Sequence, residues 1–343
     1  MGEKKTVAVL GASGYTGAEL LRLLALHPGF EVVAATAASH EGLAVGDLYP
    51  SLTAAYPHLR FAATSAEAAD GADLAFCALP HGASQRLVPE LLGKVGHVVD
   101  LSAGFRLKDP ALYPAWYGEE HACPELLADA VYGLPEVLGE GRAALRGARL
   151  VAAPGCYVTA AALALAPLVR SGFVEAAGIV VDASSGVSGA GRELAEGTQF
   201  CTVDEDFTAY GLLVHRHTPE MEQVIGAQLI FTPHLAPMNR GILATCYARP
   251  APGCPGDPLG ALAGAYAGEP FVVVAERSPS TKATLGSNTA HLTARHDPRT
   301  GWVVSICALD NLVKGAAGQA LQCANAVVGW PEPTGLAVVG LAP

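Results

Sequence analysis

Thr6-Val7-Ala8-Val9-Leu10-Gly11-Ala12-Ser13-Gly14-Tyr15-Thr16-Gly17-Ala18-Glu19-Leu20-Leu21 opens with a short β-rich run. Three glycines at Gly-x-x-Gly-x-x-Gly spacing follow, and then an amphipathic segment. The order is strand, tight turn, helix, as at the start of a doubly wound parallel sheet. Glycines in such a turn let a pyrophosphate approach the backbone and the unpaired N–H groups of the helix N-terminus. Gly11, Ser13, Gly14, Tyr15, Thr16 and Gly17 are therefore candidate dinucleotide contacts.

Further along, Glu31-Val32-Val33-Ala34-Ala35-Thr36 reads as a second strand, without the terminal acidic residue that would hold both ribose hydroxyls of NAD. Ser39 and His40 follow instead, groups suited to a 2′-phosphate, so NADP is expected over NAD. Residues 73–79 and 97–101 read as buried parallel strands that leave into Pro80-His81-Gly82 and Ser102-Ala103-Gly104-Phe105-Arg106. Ligands of open α/β sheets bind beyond the carboxyl ends of the strands, where both loops lie, and Arg106 is a candidate anion clamp there. Residues 109–149 are rich in Pro, Tyr and Gly and show no regular period.

Val151-Ala152-Ala153-Pro154-Gly155-Cys156-Tyr157-Val158-Thr159 repeats the strand-turn-helix theme with a cysteine at the turn. A helix N-terminus favours a thiolate, the reactive form of cysteine. Most cysteines are simply buried, but a core cysteine does not require a Pro-Gly break beside it. A strand at 179–183 then runs into the Ser- and Gly-rich stretch 184–192, where backbone must approach something closely. In His215-Arg216-His217-Thr218-Pro219-Glu220, Thr218 reads as an N-cap and Pro219 as the first helical residue. That places His217 at a positive helix end, neutral and able to accept a proton. Strands at 227–232, 241–248, 271–275 and 302–309 predict a mixed sheet, and Asp310 opens an alanine-rich helix to Val328.

The fold expected is α/β, a Rossmann-type doubly wound sheet plus a second α+β unit. A chain of 343 residues exceeds one ordinary core. The expected domains are 1–150 with 313–343, and 151–312. The net charge of −11 argues against nucleic acid. No apolar span is long enough for a bilayer, and the N-terminus lacks a signal-peptide pattern, so a cytoplasmic setting is expected. Eight scattered cysteines show no CxxC pair and no metal spacing.

Taken together, these motifs, with Thr232-Pro233-His234-Leu235-Ala236-Pro237-Met238 and Asp310-Asn311-Leu312-Val313-Lys314-Gly315, resemble one family over essentially the whole chain. It is that of the N-acetyl-γ-glutamyl-phosphate reductases, related to aspartate-semialdehyde dehydrogenase. The resemblance implies NADPH-dependent reduction of an acyl phosphate to a semialdehyde in arginine biosynthesis, through a thioester on Cys156 with His217 as base. It implies phosphate or substrate contacts from Arg106, Arg192, His215, Arg216 and Arg240. It also implies NADP at the first glycine loop with Ser39, His40, Pro80, His81, Ser185, Gly186, Gly189 and Asn311, and a homodimer or homotetramer. Where the family often has Ser-Arg, this chain has Ser39-His40, implying a narrower preference for NADPH.

Other classes share parts of this set. A sister group reduces a carrier-protein-linked aminoadipyl phosphate, but its cysteine is typically followed by Asn, not by a residue like Tyr157. A cofactor-free Cys-His hydrolase would leave the glycine loop without a purpose, and a cofactor-binding sensor would leave Cys156 without one.

Overall fold

In the computed structural model of the chain, which describes residues 4–254 and 256–342, the first seven strands are β1 (Lys5–Leu10), β2 (Phe30–Thr36), β3 (Phe61–Ala62), β4 (Leu74–Cys77), β5 (His97–Asp100), β6 (Val131–Tyr132) and β7 (Leu150–Ala152). They form one sheet in the order β3-β2-β1-β4-β5-β7-β6 with every pair parallel. Val7 to Leu10 and Leu74 to Cys77 are wholly buried, the continuous apolar run of central parallel strands covered on both faces. Strand order reverses between β1 and β4, so the loops after Leu10 and Cys77 meet at the carboxyl edge where such sheets bind ligands.

The helix Tyr15–Ala25 buries Leu20, Leu21, Leu23 and Leu24, and the helix His81–Leu91 follows β4. The aperiodic region 109–149 contains a short helix, Leu112–Tyr117, and the two-residue strand β6 beside β7. Strands so short carry no period to read.

The second sheet comprises β8 (Ile179–Gly186), β9 (Thr208–Ala209), β10 (Leu229–Ala236), β11 (Ile242–Ala248), β12 (Val272–Val274), β13 (Ala290–Asp297) and β14 (Trp302–Leu309), ordered β12-β13-β14-β11-β8-β10-β9. It is mixed: β8 and β10 are parallel, while β11 is antiparallel to both β8 and β14. Burial alternates along β8 and β11, the mark of a sheet covered on one face. The helix Cys156–Arg170 is buried almost throughout, and its carbonyls at Leu163 and Ala164 accept bonds from Tyr266 Oη at 2.6 Å and Ser305 Oγ at 2.8 Å. Alanine at five positions of this helix leaves room for that close approach.

The chain divides into two compact units. Unit 1 is Met1–Pro135, Glu140–Pro154 and Ala316–Leu336, and unit 2 is Glu136–Gly139, Gly155–Gly315 and Ala337–Pro343. The crossing expected after residue 150 lies between Pro154 and Gly155, so residues 151–154 go with unit 1 and Cys156 is in unit 2. The tail beyond Ala337, expected with the dinucleotide domain, belongs to unit 2. There Ala337 accepts the Asn288 N–H and Leu341 donates to Leu285 O, both at 2.8 Å. The C-terminal helix Gly318–Val327 does return to unit 1, where Asn325 bonds His27 at 3.0 Å. It is preceded by a π-helical turn, Val313–Ala317, rather than by continuous α-helix from Asp310.

Candidate active site

Cys156 is the first residue of its helix, half-buried, with Gly155 as N-cap in extended conformation. A β-carbon on Gly155 would lie 2.6 Å from Nε2 of His217 and 2.8 Å from its Cε1. The imidazole edge is therefore seated on the backbone of the residue immediately before the cysteine. The Gly155 N–H donates to Oε1 of Glu220 at 2.9 Å, and Glu220 is fully buried. His217 and Glu220 stand three apart on the helix His217–Ile225, so the same face that carries the histidine also pins the cysteine turn.

That helix begins at His217 itself, two residues earlier than Thr218 as cap predicts. The reason is His215, whose Nδ1 accepts the His217 N–H at 3.1 Å, doing the work expected of a hydroxyl cap. The His215 ring is caged edge-on by Tyr157, Tyr210, Phe231 and His217 at 4.8 to 5.8 Å between centroids. Burial, helped by the Arg216 cation, pulls its pKa down to about 4, so at neutral pH it is an uncharged acceptor. Tyr157 donates to His234 O at 3.0 Å and receives the Tyr210 hydroxyl at 3.1 Å. Burial pushes Tyr210 up to about 12 and Tyr157 higher still, keeping both protonated.

A second cluster in unit 2 joins the Ser- and Gly-rich turn to the segments after β10 and β14. A β-carbon on Gly189 would meet Ser185 Oγ at 2.8 Å, and one on Gly186 would strike the Asn239 carbonyl at 2.7 Å. Asn311 accepts the Gly241 N–H at 2.7 Å and donates to Ser188 at 3.0 Å. Half-buried Arg240 faces the buried carboxylate of Asp310 at 3.6 Å. Arg192 and Arg216 are exposed.

In unit 1 the glycine turn is tightly built. Gly11 has φ +80°, and a β-carbon there would lie 2.4 Å from Ala78 O. One on Gly17 would lie 2.4 Å from Gly11 O, so the helix Tyr15–Ala25 seats directly on the turn. Gly14 caps that helix without a side chain, Thr16 lies in its first turn, and the Ser13 carbonyl is held by Tyr49 Oη at 2.6 Å. Ser39 Oγ and His40 Nδ1 pair at 2.9 Å on the surface. Pro80 precedes the next helix, whose first residue, His81, meets Glu119 at 3.1 Å. Arg106 is buried, its Nε bonding Ala153 O at 2.8 Å and one Nη bonding Leu101 O at 2.7 Å, so two of its donors brace the loops after β5 and β7. The buried Asp100 carboxyl, raised by desolvation, accepts both Ser84 and Ser102 hydroxyls at 2.6 Å and shapes the same loop.

Sequence reasoning passed over Glu220, Tyr210 and Asp310 as functional groups. The i,i+3 spacing of His217 and Glu220 was the available signal for the first. Nothing local marks Tyr210.

Aspartate semialdehyde dehydrogenase with NADP from Candida albicans superposes with a TM-score of 0.69, covering 94% of this chain and 98% of that one at 14% identity. Aspartate semialdehyde dehydrogenase II from Vibrio cholerae gives 0.67 at 15% identity over 95% and 98%. These show a shared fold. The family model for the semialdehyde dehydrogenase NAD binding domain matches residues 6–144, and that for the semialdehyde dehydrogenase dimerisation domain matches residues 156–311. The two-unit architecture is thus that of the semialdehyde dehydrogenases. N-acetyl-gamma-glutamyl-phosphate reductase from Magnetococcus marinus is 45% identical over 345 residues, 98% of either chain. The reductase of the same name from Symbiobacterium thermophilum is 48% identical over 97% of this chain and 98% of its own. The chain belongs to this family, the N-acetyl-gamma-glutamyl-phosphate reductases.

Proposed function

We infer that the chain reduces N-acetyl-L-glutamyl 5-phosphate to N-acetyl-L-glutamate 5-semialdehyde with NADPH, releasing phosphate, as a step of arginine biosynthesis. The observation that carries this reading is the seat of His217 Nε2 on Gly155, directly before Cys156 at the start of a buried helix. His217 takes the thiol proton, and the helix N-terminus stabilises negative charge on Sγ. The thiolate attacks the acyl carbon, the carbon–oxygen bond to phosphate breaks, and a thioester remains on Cys156. After reduction of that carbon, the carbon–sulfur bond breaks as the aldehyde carbonyl forms, and the departing thiolate recovers its proton from His217.

The residues of unit 1 fit NADP: the glycine turn excludes side chains at Gly11 and Gly17 and leaves the first helical N–H groups without a side-chain cap. Gly11 to Gly17 would hold the pyrophosphate, and Ser39 with His40 the 2′-phosphate. When bound, NADPH supplies the hydride that the acyl carbon requires. In unit 2, Arg240, oriented by Asp310, supplies a cation for the substrate's anionic groups. A homodimer or homotetramer is the expected assembly. Among the described residues no helix is long and apolar enough to cross a membrane, and no group of three or more His, Cys, Asp or Glu is set to hold a metal. All eight cysteines are unbridged, which suits the reducing cytoplasm.

NADPH oxidation with N-acetylglutamyl, aspartyl and carrier-linked aminoadipyl phosphates tests the assignment, with turnover expected on the first. Cys156→Ser should bind NADP and lose nearly all turnover, since a serine hydroxyl is not ionised at neutral pH. Wild-type-like activity in that variant would overturn the mechanism.

A further inference from the structure

The π-helical turn Val313–Ala317 stands against the nucleophile: a β-carbon on Gly315 would lie 2.8 Å from Cβ of Cys156 and 3.3 Å from its Cα. A π-turn holds one more residue than the α-helical turn it interrupts and needs an external hold. Two are present. Upstream, Asp310 accepts the Leu312 and Val313 N–H groups at 2.8 and 3.0 Å. Within the turn, Lys314 Nζ meets Glu136 Oε1 at 2.5 Å, both side chains wholly buried.

Glu136 belongs to the short insert Glu136–Gly139 of unit 2, which is tied down by the Arg170 guanidinium at the Val137 carbonyl. A buried lysine and carboxylate are weak evidence for stability, since desolvation offsets most of their attraction. A directional bond between them does fix the position of a bulge, which an apolar filler would not.

We propose that the Lys314–Glu136 pair positions the reaction's nucleophile, holding the π-turn in the register that sets the Gly315 backbone against Cys156. Relaxation to α-helix would rotate Gly315 by about 100° about the helix axis and remove that wall. The inference rests on Cys156 being the nucleophile, so Cys156 is read directly as well as through turnover.

The test uses Lys314→Met combined with Glu136→Leu, which removes both charges together and leaves no orphaned ion, and Glu136→Asp, which keeps the charge and shortens the reach. Four measurements are made: thermal melting, NADPH binding, steady-state kinetics, and iodoacetamide labelling of the Cys156 peptide followed by mass spectrometry. In both variants we expect a folded, NADPH-binding protein with KM within about twofold of wild type, and kcat and Cys156 labelling each lowered about tenfold or more. Either variant folded with wild-type kcat and labelling overturns the proposal. So does loss of kcat with Cys156 labelling unchanged. If labelling wild-type Cys156 leaves turnover intact, the nucleophile assignment itself fails, a separate result from those of the variants.

Discussion

Gly155 and His217 touch so closely that the smallest side chain at 155 would overlap the imidazole, 2.6 Å from Nε2. Gly155 itself has φ −68° and ψ 145°, which alanine adopts without strain. Gly155→Ala therefore tests the ring's seat rather than the backbone. The ring must move by several tenths of an ångström, so kcat should fall by about tenfold to 10², with KM little changed. Stability should fall by no more than the ~1–3 kcal/mol of ordinary overpacking. A wild-type kcat would show that His217 does not act from this seat.

Glu220 holds the same turn from the other side. Glu220→Gln retains a carbonyl oxygen for the Gly155 N–H, whereas Glu220→Leu leaves that N–H without its acceptor in a buried place. The leucine variant should lose about 1–3 kcal/mol in denaturant titration and the glutamine variant less than about 1 kcal/mol. Equal losses would mean that the charge matters and the hydrogen bond does not.

Both turns that define the chemistry were legible because each is local: strand, glycine turn and helix lie within sixteen residues at Thr6–Leu21, and Pro154-Gly155-Cys156 carries its own break. The partners that hold them were not. Glu220 reaches Gly155 across 65 positions, and the His215 cage draws on Tyr157 and Phe231 from other elements. β13, absent from the strands expected from sequence, ends in the polar Arg295-His296-Asp297 and is defined by its antiparallel pairing with β14. The π-turn is invisible for a related reason: the alanines after Lys314 suit an α-helix locally, and the Lys314–Glu136 pair lies 178 positions apart.

Cofactor choice is read at the surface pair Ser39–His40. A guanidinium grips a phosphate through paired donors, which one imidazole cannot match. His40→Arg should raise the ratio of kcat/KM for NADPH over that for NADH, by roughly tenfold if it gains one charge-assisted bond of about 1.5 kcal/mol. An unchanged ratio would place recognition of the 2′-phosphate elsewhere.

The sequence alone points to a substrate contact at His215, yet its Nδ1 is occupied by the His217 N–H, and that bond requires the neutral ring. Burial and the Arg216 cation hold the folded pKa near 4, below the ordinary 6.5. The unfolded chain therefore binds the extra proton more readily between those values. The stability associated with neutral His215 is complete above pH 6.5 and declines as pH falls through 6.5 toward 4. His215→Asn keeps an oxygen that can accept the same N–H and removes the titration, so its stability should decline less over that window in denaturant titrations at pH 7, 5.5 and 4.5. His215→Leu offers no acceptor and frees the start of the helix, so His217 loses its fixed orientation and kcat should fall at least about tenfold with KM little changed. The opposite pattern, a raised KM with kcat intact in His215→Leu, would put this ring on the substrate and leave the capping bond incidental.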